Sequence, residues 1–504
     1  VIDSATVIAT DPDGNTIVAG MFHGTLTFGG TTLTNTDTHQ PPYYNSPMDV
    51  YDIFVAKLLR NGTWEWALQL DVSEYMGIYL EDIDVDSDGN VFIVGTCKDT
   101  ITYGSETSDC DGGYENYNEV MIAKANSDGT WDWVEYASGE GSRETTYSLT
   151  VDGEGSAYLT GSFCGQNGAQ ATSSCAVLFG NQVVSATQGS SHIGSDRTFV
   201  AKIDAEGDWQ WAARAGSGYN VNSRGMDLAL DGLGGLYVTG WFSTGTGTQY
   251  PMSFGDSNSH QITSNQSQGF GKFLAKLTAE GQWQWARGWD SGWNFQSSIS
   301  SSGGGYIILS DNIESNITLG GYNLTVPVAG GYDIMVANIS SSGVWQWAIS
   351  AGGEGSDYSN SVGVDNTGRI FVAGSFTQNA SFGSTSMQLL DGTNDGLIAS
   401  VSPAGVWLDA IQTNLPITDM AVQGTGQLHI IGGDSNWLFL EEDSDEDNDS
   451  IADSSDQCPT GDLNWISNSS TDHDSDGCQD NSSEDTDDDN DSVLDSSDSC
   501  PKGD

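Results

Sequence analysis

The chain has few basic residues and little proline. Lys and Arg contribute 14 of its 504 residues against 70 Asp and Glu, so the net charge is −56. Such a charge repels nucleic acid and anionic membrane surfaces and attracts cations. No apolar run approaches the roughly 20 residues that span a bilayer, so we expect neither a nucleic-acid partner nor direct membrane insertion of this segment. Ten prolines beside 64 glycines favour many short strands joined by tight turns.

The sequence also lacks the common catalytic motifs. Its six histidines are scattered without metal-ligand spacing, and no nucleophile elbow, zinc-protease helix or phosphate-binding loop is present. A catalytic carboxylate pair would not stand out among 70 acidic residues. We therefore predict a protein that is not an enzyme, with no catalytic residues and no organic cofactor.

What the sequence does contain is a repeated element, Gly-x-Trp-x-Trp-Ala, and an element returning every 60 to 80 residues indicates a repeat architecture. Residues i and i+2 of a strand share a face, so we predict that both indoles of a pair lie on one surface, packed against a neighbouring unit. The pairs are Trp64 and Trp66, Trp131 and Trp133, Trp209 and Trp211, Trp283 and Trp285, and Trp345 and Trp347, with a weaker copy at Trp407.

Two further patterns precede each Trp pair. Alternating apolar residues around a Gly turn, as at 83–95, predict a hairpin. An apolar run, as at 54–58 (Phe-Val-Ala-Lys-Leu), predicts a buried strand. Each unit is thus predicted to hold four strands, and a seventh unit around Gly424 lacks the Trp strand. The fifth unit departs from the pattern, with Ser302 in place of Asp and Asn338 in place of Lys.

Four-stranded units in series predict an all-β fold, a β-propeller. The combination of Asp-Gly-Asn hairpin, Phe-Val-Ala-Lys-Leu strand and Gly-x-Trp-Gln-Trp-Ala resembles the SBBP β-propeller repeats of secreted bacterial and archaeal proteins. The resemblance covers residues 1–441. It implies a propeller domain of seven blades, with six blades as the alternative.

The seven cysteines predict disulfides. Two pairs occupy the same place in the second and third units and each closes a short loop, and a third pair lies near the C-terminus. Cys500 is left over, so we expect a longer natural polypeptide. Disulfides are typical of compartments outside the cytosol, which predicts an extracellular or cell-surface location. The predicted pairs are Cys97 with Cys110, Cys164 with Cys175, and Cys458 with Cys478.

Residues 442–504 are predicted to bind calcium. They hold 22 Asp and Glu against one Lys, and their oxygen ligands have the spacing of EF-hand-like loops, in which position 7 contributes a backbone carbonyl. The segment resembles thrombospondin type 3 repeats, which implies an extended calcium-filled stalk with little regular secondary structure. The predicted ligands are Asp445, Asp447, Asp449, Ile451, Asp453 and Asp456 in the first loop, Asp472, Asp474, Asp476, Cys478 and Asp480 in the second, and Asp487, Asp489, Asp491, Val493, Asp495 and Asp498 in the third.

The hairpin at 84–89 also has the Asp spacing of a calcium loop, but its counterparts keep a single Asp, such as Asp231 or Asp365, so we predict a turn.

These patterns favour a secreted or cell-surface, non-enzymatic protein whose propeller is an adhesion or interaction module on a calcium-stiffened stalk. Its partner would be an extracellular protein or glycan, or further copies of this chain. One alternative is a subunit of an extracellular filament or surface layer. Another is an extracellular polysaccharide-acting enzyme, which converging carboxylates or a His of displaced pKa in the propeller mouth would favour.

Overall fold

The computed structural model describes most of the first 440 residues and a few short pieces beyond them. The described part of the chain forms β-strands, turns and connections, and no helix in it is long and apolar enough to cross a membrane. The described residues are 4–39, 48–72, 78–98, 100–110, 119–139, 143–165, 174–187, 196–217, 221–243, 251–255, 260–264, 270–290, 292, 294–302, 304–326, 331–390, 394–432, 436–440, 457–458, 467, 471–472 and 477–480.

The strands of the first three units are short and closely spaced. They are β1 (Ser4–Thr10), β2 (Thr16–Phe22), β3 (Gly24–Phe28), β4 (Thr31–Asn35), β5 (Thr38–His39), β6 (Met48–Asp49), β7 (Asp52–Leu58), β8 (Trp64–Val72), β9 (Ile78–Val85), β10 (Val91–Cys97), β11 (Thr100–Tyr103), β12 (Glu106–Asp109), β13 (Glu119–Ala125), β14 (Trp131–Gly139), β15 (Arg143–Val151), β16 (Ala157–Gly165), β17 (Ser174–Phe179), β18 (Gln182–Thr187), β19 (Arg197–Ile203) and β20 (Trp209–Ser217).

The later units repeat this order. Their strands are β21 (Asn222–Leu230), β22 (Gly235–Ser243), β23 (Met252–Phe254), β24 (His260–Ile262), β25 (Phe270–Thr278), β26 (Trp283–Trp289), β27 (Ser297–Ser301), β28 (Tyr306–Ile313), β29 (Ile317–Leu319), β30 (Tyr322–Leu324), β31 (Asp333–Ser340), β32 (Trp345–Gly353), β33 (Asp357–Val364), β34 (Ile370–Phe376), β35 (Ala380–Phe382), β36 (Thr385–Met387), β37 (Asp395–Val401), β38 (Trp407–Thr413), β39 (Ile417–Val422), β40 (Leu428–Gly432) and β41 (Asn436–Leu440).

The predicted order of strands within a unit is confirmed. Each unit builds an antiparallel sheet in which two hairpin strands are followed by the apolar strand and then the Trp strand. In the described part of the chain the seventh sheet has three strands. The sheets, from first to last strand, are β1-β2-β7-β8, β9-β10-β13-β14, β15-β16-β19-β20, β21-β22-β25-β26, β27-β28-β31-β32, β33-β34-β37-β38 and β39-β40-β41.

The first strands of the sheets form a closed ring. Each lies beside the first strand of the next sheet, and β39 lies beside β1. Side chains tie this last junction: the Asp419 carboxylate accepts a hydrogen bond from the Ile8 amide at 3.1 Å, and Gln423 Nε2 donates to the Gly14 carbonyl at 2.8 Å. The start of the described chain is thereby held against its seventh sheet.

The prediction that both indoles of a Trp pair share one face is wrong. Trp64 pairs with Leu58 and Trp66 pairs with Lys57, so the residue between the two tryptophans is the extra residue of a β-bulge. Because successive residues of the partner strand point to opposite faces, the two indoles also lie on opposite faces. The same register shift occurs at β14, β20, β26 and β32.

The bulge directs each Trp pair into two different cores. The apolar core between the second and third sheets contains Trp133 of the second unit and Trp209 of the third. The next core contains Trp211 of the third unit and Trp283 of the fourth. Each pair therefore packs against both neighbouring sheets.

An additional hairpin, called the outer hairpin below, follows the second strand of each of units one to six and was not predicted from the sequence. The hairpins β11-β12, β17-β18, β23-β24 and β35-β36 extend the Trp strand of the preceding sheet. The first indole of the hairpin's own unit lies against its turn: ring centroids are 4.9 Å apart for Phe179 and Trp209 and 5.0 Å apart for Phe254 and Trp283. The recurring Phe-Gly pair was the sequence signal that could have identified these hairpins.

The disulfide predictions are confirmed. Cys97 with Cys110 and Cys164 with Cys175 each tie the end of a second strand to the outer-hairpin region that follows it, and Cys458 with Cys478 joins two described pieces of the acidic segment. Cys500 lies outside the described residues.

Candidate functional site

The ring of first strands surrounds a polar cavity of about 530 Å³. Every strand of the ring contributes residues to the lining of this cavity. Its charged lining is acidic and includes no Lys or Arg. The alternative enzymatic site was predicted to lie in a central cavity of this kind.

Carboxylates from three strands converge on the cavity. Asp82 and Asp84 come from β9, Asp227 from β21 and Asp419 from β39, and all four are half-buried. The residues that point inwards come from alternate positions of these strands, as the period of two requires. None of these four residues was predicted to line a cavity, since nothing local separates them from the other acidic residues; Asp84 was considered only as part of the hairpin at 84–89.

Each of these carboxylates accepts backbone hydrogen bonds. One oxygen accepts the amide of the next residue in its own strand, as Asp227 does from Leu228 at 2.8 Å. The other reaches a different first strand: Asp82 accepts the Leu149 amide at 2.8 Å, and Asp227 accepts the Ile299 amide at 2.7 Å. Their hydrogen bonds therefore tie neighbouring first strands together around the ring.

Burial raises the pKa of these groups. It raises the pKa of Asp227 to about 6 and that of Asp84 to about 6, in both cases against the opposing effect of backbone amides. Burial and the negative charge of Asp227 raise the pKa of Asp82 well above its usual range. Burial also raises the pKa of Asp419. The cavity thus holds coupled carboxylates that protonate more readily than free aspartate.

The histidine with a displaced pKa lies elsewhere. His429, on β40, is buried at the junction of the seventh and first sheets, where Nδ1 is 2.7 Å from Thr16 Oγ1 and Nε2 is 3.0 Å from Gln423 Nε2. Burial, together with the charge of Arg60, lowers the pKa of His429 to about 4. A neutral imidazole at neutral pH belongs to the packing that closes the ring.

The hairpin at 84–89 is a turn. Asp86 Oδ1 accepts the amides of Asp88 and Asn90 at 2.9 and 2.8 Å. Asp11, Asp152, Asp231 and Asp365 make the same pair of bonds in their units. The Asp84 carboxylate instead accepts a hydrogen bond from the Val151 amide of the neighbouring first strand.

A few of the predicted calcium ligands are among the described residues, namely Asp472, Cys478 and Asp480. Asp472 is fully buried, and its Oδ2 accepts hydrogen bonds from the Gly477 amide at 3.2 Å and from Ser467 Oγ at 2.5 Å. Gly477 has φ +89°, and the Asp480 amide donates to the Thr471 carbonyl at 2.9 Å. The other predicted ligands lie outside the described residues, so calcium binding stays a prediction.

No protein-family model matches the chain, and no curated protein is similar to it. Among the solved structures that match it, three share 9–10% identity with it. A protein of unknown function from Dyadobacter fermentans has TM-score 0.35 over 81% of this chain and 94% of its own. A leech intramolecular trans-sialidase has 0.22 over 74% and 64%, and the extracellular domain of a one-component system from B. thetaiotaomicron has 0.15 over 86% and 80%. All three TM-scores are below 0.5, so these likenesses carry no inference about function.

Proposed function

We propose that residues 1–441 form a seven-bladed β-propeller that acts outside the cell as a rigid, non-enzymatic interaction module. The support for seven blades is the closed order of the first strands, in which β39 lies between β33 and β1. The sequence resemblance to SBBP repeats supports the same architecture. Its partner would be an extracellular protein or glycan.

The observation that carries this proposal is that the cavity carboxylates make structural hydrogen bonds. The half-buried aspartates that line the cavity accept hydrogen bonds from backbone amides of neighbouring strands. A carboxylate whose oxygens are committed to structural hydrogen bonds is a poor general base or nucleophile, because reaction would break the bonds that position it. The acidic cavity is therefore assigned to holding the ring together.

The proposed location outside the cytosol is supported by the disulfides of the described residues, since such bonds persist in oxidising compartments. The proposed calcium stalk is supported by the second loop. Asp472, at position 1, accepts the amide of Gly477, at position 6, where a positive φ suits glycine. When bound, calcium would supply charge compensation to the acidic loops, and Asp472, Asp474, Asp476, Cys478 and Asp480 would hold it there.

Calcium titration by calorimetry on the full chain, with small-angle scattering in calcium and in chelator, tests the stalk. We expect saturable binding, with a change in maximum particle dimension when calcium is removed. Asp472→Asn should lower the number of sites or their affinity, while Asp462→Asn, an acidic residue between the predicted loops, should leave both unchanged. The absence of binding at millimolar calcium would overturn the calcium stalk.

The enzymatic alternative is favoured by one observation, the convergence of Asp82, Asp227 and Asp419 on a single cavity. A panel of extracellular polysaccharides incubated with the purified chain tests it. We expect no hydrolysis. Reproducible cleavage that is lost in Asp227→Asn, with an unchanged circular dichroism spectrum at the assay temperature, would replace the non-enzymatic proposal.

The filament alternative is favoured by the seventh sheet, which ends at β41 in the described part of the chain. Among the described residues, no atom lies within 4 Å of the Cβ position of Gly62, whereas the equivalent Gly281 lies against Trp211 of the unit before it. A strand from another copy of the chain would fit beside β41. Light scattering at increasing protein concentration tests this. We expect a monomer, and concentration-dependent polymers would favour the filament.

A further inference from the structure

Two buried aspartates meet at the junction between the fifth and sixth sheets. Asp333 begins β31 of the fifth sheet and Asp357 begins β33 of the sixth, and their exposed fractions are 1% and 0%. Neither aspartate belongs to the central cavity or to the acidic C-terminal segment.

The two carboxylates face one another across a small space. If Gly352 carried a Cβ, that atom would lie within 2.6 Å of both Asp333 Oδ1 and Asp357 Oδ2. None of the four carboxylate oxygens has a hydrogen-bond partner among the described residues. The Gly353 amide faces both groups and lowers the pKa of each, but it does not reach hydrogen-bond geometry with either.

Equivalent carboxylates elsewhere are compensated by the protein. Asp52 and Asp395 occupy the place of Asp333 in the first and sixth units. Asp52 accepts hydrogen bonds from Gln69 Nε2 at 2.6 Å and the Val72 amide at 3.0 Å. Asp395 accepts them through Oδ2 from Gln412 Nε2 at 2.6 Å and the Leu390 amide at 2.7 Å, while its Oδ1 has no partner among the described residues. In the fifth unit, Ser350 stands where these two units have glutamine.

At the junction between the fourth and fifth sheets, a buried carboxylate is compensated by a positively charged side chain. There the fully buried carboxylate of Asp311 is 2.8 Å from Nζ of the fully buried Lys272, and it also accepts a hydrogen bond from Trp289 Nε1 at 2.8 Å. A buried charge without such a partner is strongly unfavourable. No cationic side chain is paired with Asp333 or Asp357 among the described residues.

We propose that Asp333 and Asp357 bind a hard divalent cation, calcium, between the fifth and sixth sheets. Their carboxylates would provide the anionic oxygens of the site, and backbone carbonyls and water would complete a coordination shell of six to eight. Gly352 would be required because any side chain there would occupy the space of the ion. The site is independent of the predicted C-terminal loops and of the proposed function.

The competing arrangement is a shared proton. Burial raises the pKa of Asp333 to about 6, and burial with the charge of Asp333 raises the pKa of Asp357 to about 7. A protonated pair would need no metal, so metal binding itself distinguishes the two arrangements.

Thermal unfolding of the full chain at pH 7.5, in calcium and in chelator, tests the proposal. We expect calcium to raise the melting temperature of the sheet region by roughly 2–5 °C. The double variant Asp333→Asn with Asp357→Asn should lose most of this shift. The matched control, Asp395→Asn, should be less stable in both conditions but keep the calcium shift. An undiminished shift in the double variant would overturn the proposal.

Terbium luminescence gives a second readout that does not depend on stability. Tyr332 and Tyr358 adjoin the two aspartates, and their rings are 5.5 Å apart, so terbium bound here should be sensitised by tyrosine excitation. We expect a calcium-displaceable signal that falls severalfold in the double variant and persists in Asp395→Asn. Equal signals in all three proteins would assign terbium to other sites and contradict the proposal.

Discussion

The two tryptophans of a unit have different hydrogen-bonding roles. The second indole donates to a turn carbonyl of the following unit: Trp66 to Ser127, Trp133 to Ala205, Trp211 to Ala279, Trp285 to Ser341 and Trp347 to Pro403, at 2.8–3.1 Å. The first indole packs on the outer hairpin, and in the third and sixth units its N–H has no partner among the described residues. The first indole also links consecutive sheets in two units, where Trp131 and Trp283 donate to the Gln69 and Arg214 carbonyls of the preceding unit at 3.0 and 3.1 Å. The second position is the one that makes such a hydrogen bond in each of the first five units.

Replacing Trp211 by Phe tests this role. The variant loses the indole donor and leaves the Ala279 carbonyl without it, so we expect a loss of about 1–3 kcal/mol of unfolding free energy. The matched control is Trp209→Phe, which removes a buried N–H that has no partner in the described part of the chain. Denaturant unfolding should show the smaller loss for Trp209→Phe, and equal losses would contradict the distinction.

The glycine that precedes a Trp pair leaves room for the second indole of the unit before it, where that unit has one. Gly281 has φ +76°, and a Cβ there would lie 2.7 Å from the Trp211 ring. Gly62 has a similar φ of +80°, but no atom of the described part of the chain lies within 4 Å of its Cβ position. The backbone requirement is therefore the same at both positions, whereas the packing requirement differs.

Alanine at these two positions separates the two requirements. We expect Gly62→Ala to cost about 1 kcal/mol, from the left-handed backbone alone. Gly281→Ala should cost roughly 2–4 kcal/mol, because the indole must also move. Equilibrium unfolding of both variants measures the difference, and a cost for Gly62→Ala as large as that for Gly281→Ala would show that backbone strain dominates.

At the scale of the elements, the hairpin turn and the apolar strand are joined by an ion pair. Lys276 Nζ lies 2.9 Å from Asp231 Oδ2, and Lys57 Nζ lies 3.0 Å from Asp11 Oδ2. The fifth unit lacks both residues of this pair, whereas the sixth unit keeps Asp365 and has Ser400 in the place of the Lys. In the fifth unit, Asn338 Oδ1 is buried without a hydrogen-bond partner in the described structure.

Restoring the pair in the fifth unit tests the coupling. We expect Asn338→Lys alone to destabilise the chain and Ser302→Asp alone to have a small effect. The unfolding free energy of the double variant should exceed the value expected from the sum of the two single changes by about 1–2 kcal/mol. The reverse cycle on Asp231→Ser and Lys276→Asn, measured by the same unfolding assay, is the control. A coupling near zero in both cycles would show that the pair is incidental.

The orientation of the tryptophans shows the limit of sequence analysis at this scale. Strand, hairpin and repeat boundaries were predictable because apolar alternation and Gly turns are local. The bulge was not, because it depends on how Trp64 and Trp66 align with Lys57 and Leu58 of another strand. The outer hairpins were also missed, since their short strands gain stability from an indole and from the sheet edge of the preceding unit.

At the scale of the whole molecule, the closed arrangement of first strands concentrates negative charge. Asp82 and Asp84 are far in sequence from Asp227 and from Asp419, and the four share one cavity because the last sheet returns to the first. Their raised pKa values mean that the folded chain binds protons more tightly than the unfolded chain there. For Asp84 and Asp227 the resulting contribution to stability is greatest below pH 4 and is lost as pH rises through about 6.

Asp227→Asn should therefore flatten the stability profile. In the parent chain we expect Asp227 to lower the unfolding free energy by roughly 1–3 kcal/mol between pH 4 and pH 7, and the variant should lack this fall. Asp231→Asn is the control of opposite sign, because hydrogen bonds from Lys276 and backbone amides outweigh burial and lower the pKa of Asp231. Denaturant titrations across this pH range compare the slopes, and an unchanged slope in Asp227→Asn would contradict the assignment.

The sequence by itself determined the all-β class, the repeated strand order and the three disulfide pairs confirmed among the described residues, because each depends on local periodicity or spacing. The tertiary structure decided which faces the indoles occupy, which carboxylates line the cavity and which aspartates meet at a junction. Asp333 and Asp357 are ordinary strand-starting residues in the sequence, and they become a candidate ion site because two sheets bury them against each other. Such properties arise from contacts between units, which the repeat pattern of a single unit does not contain.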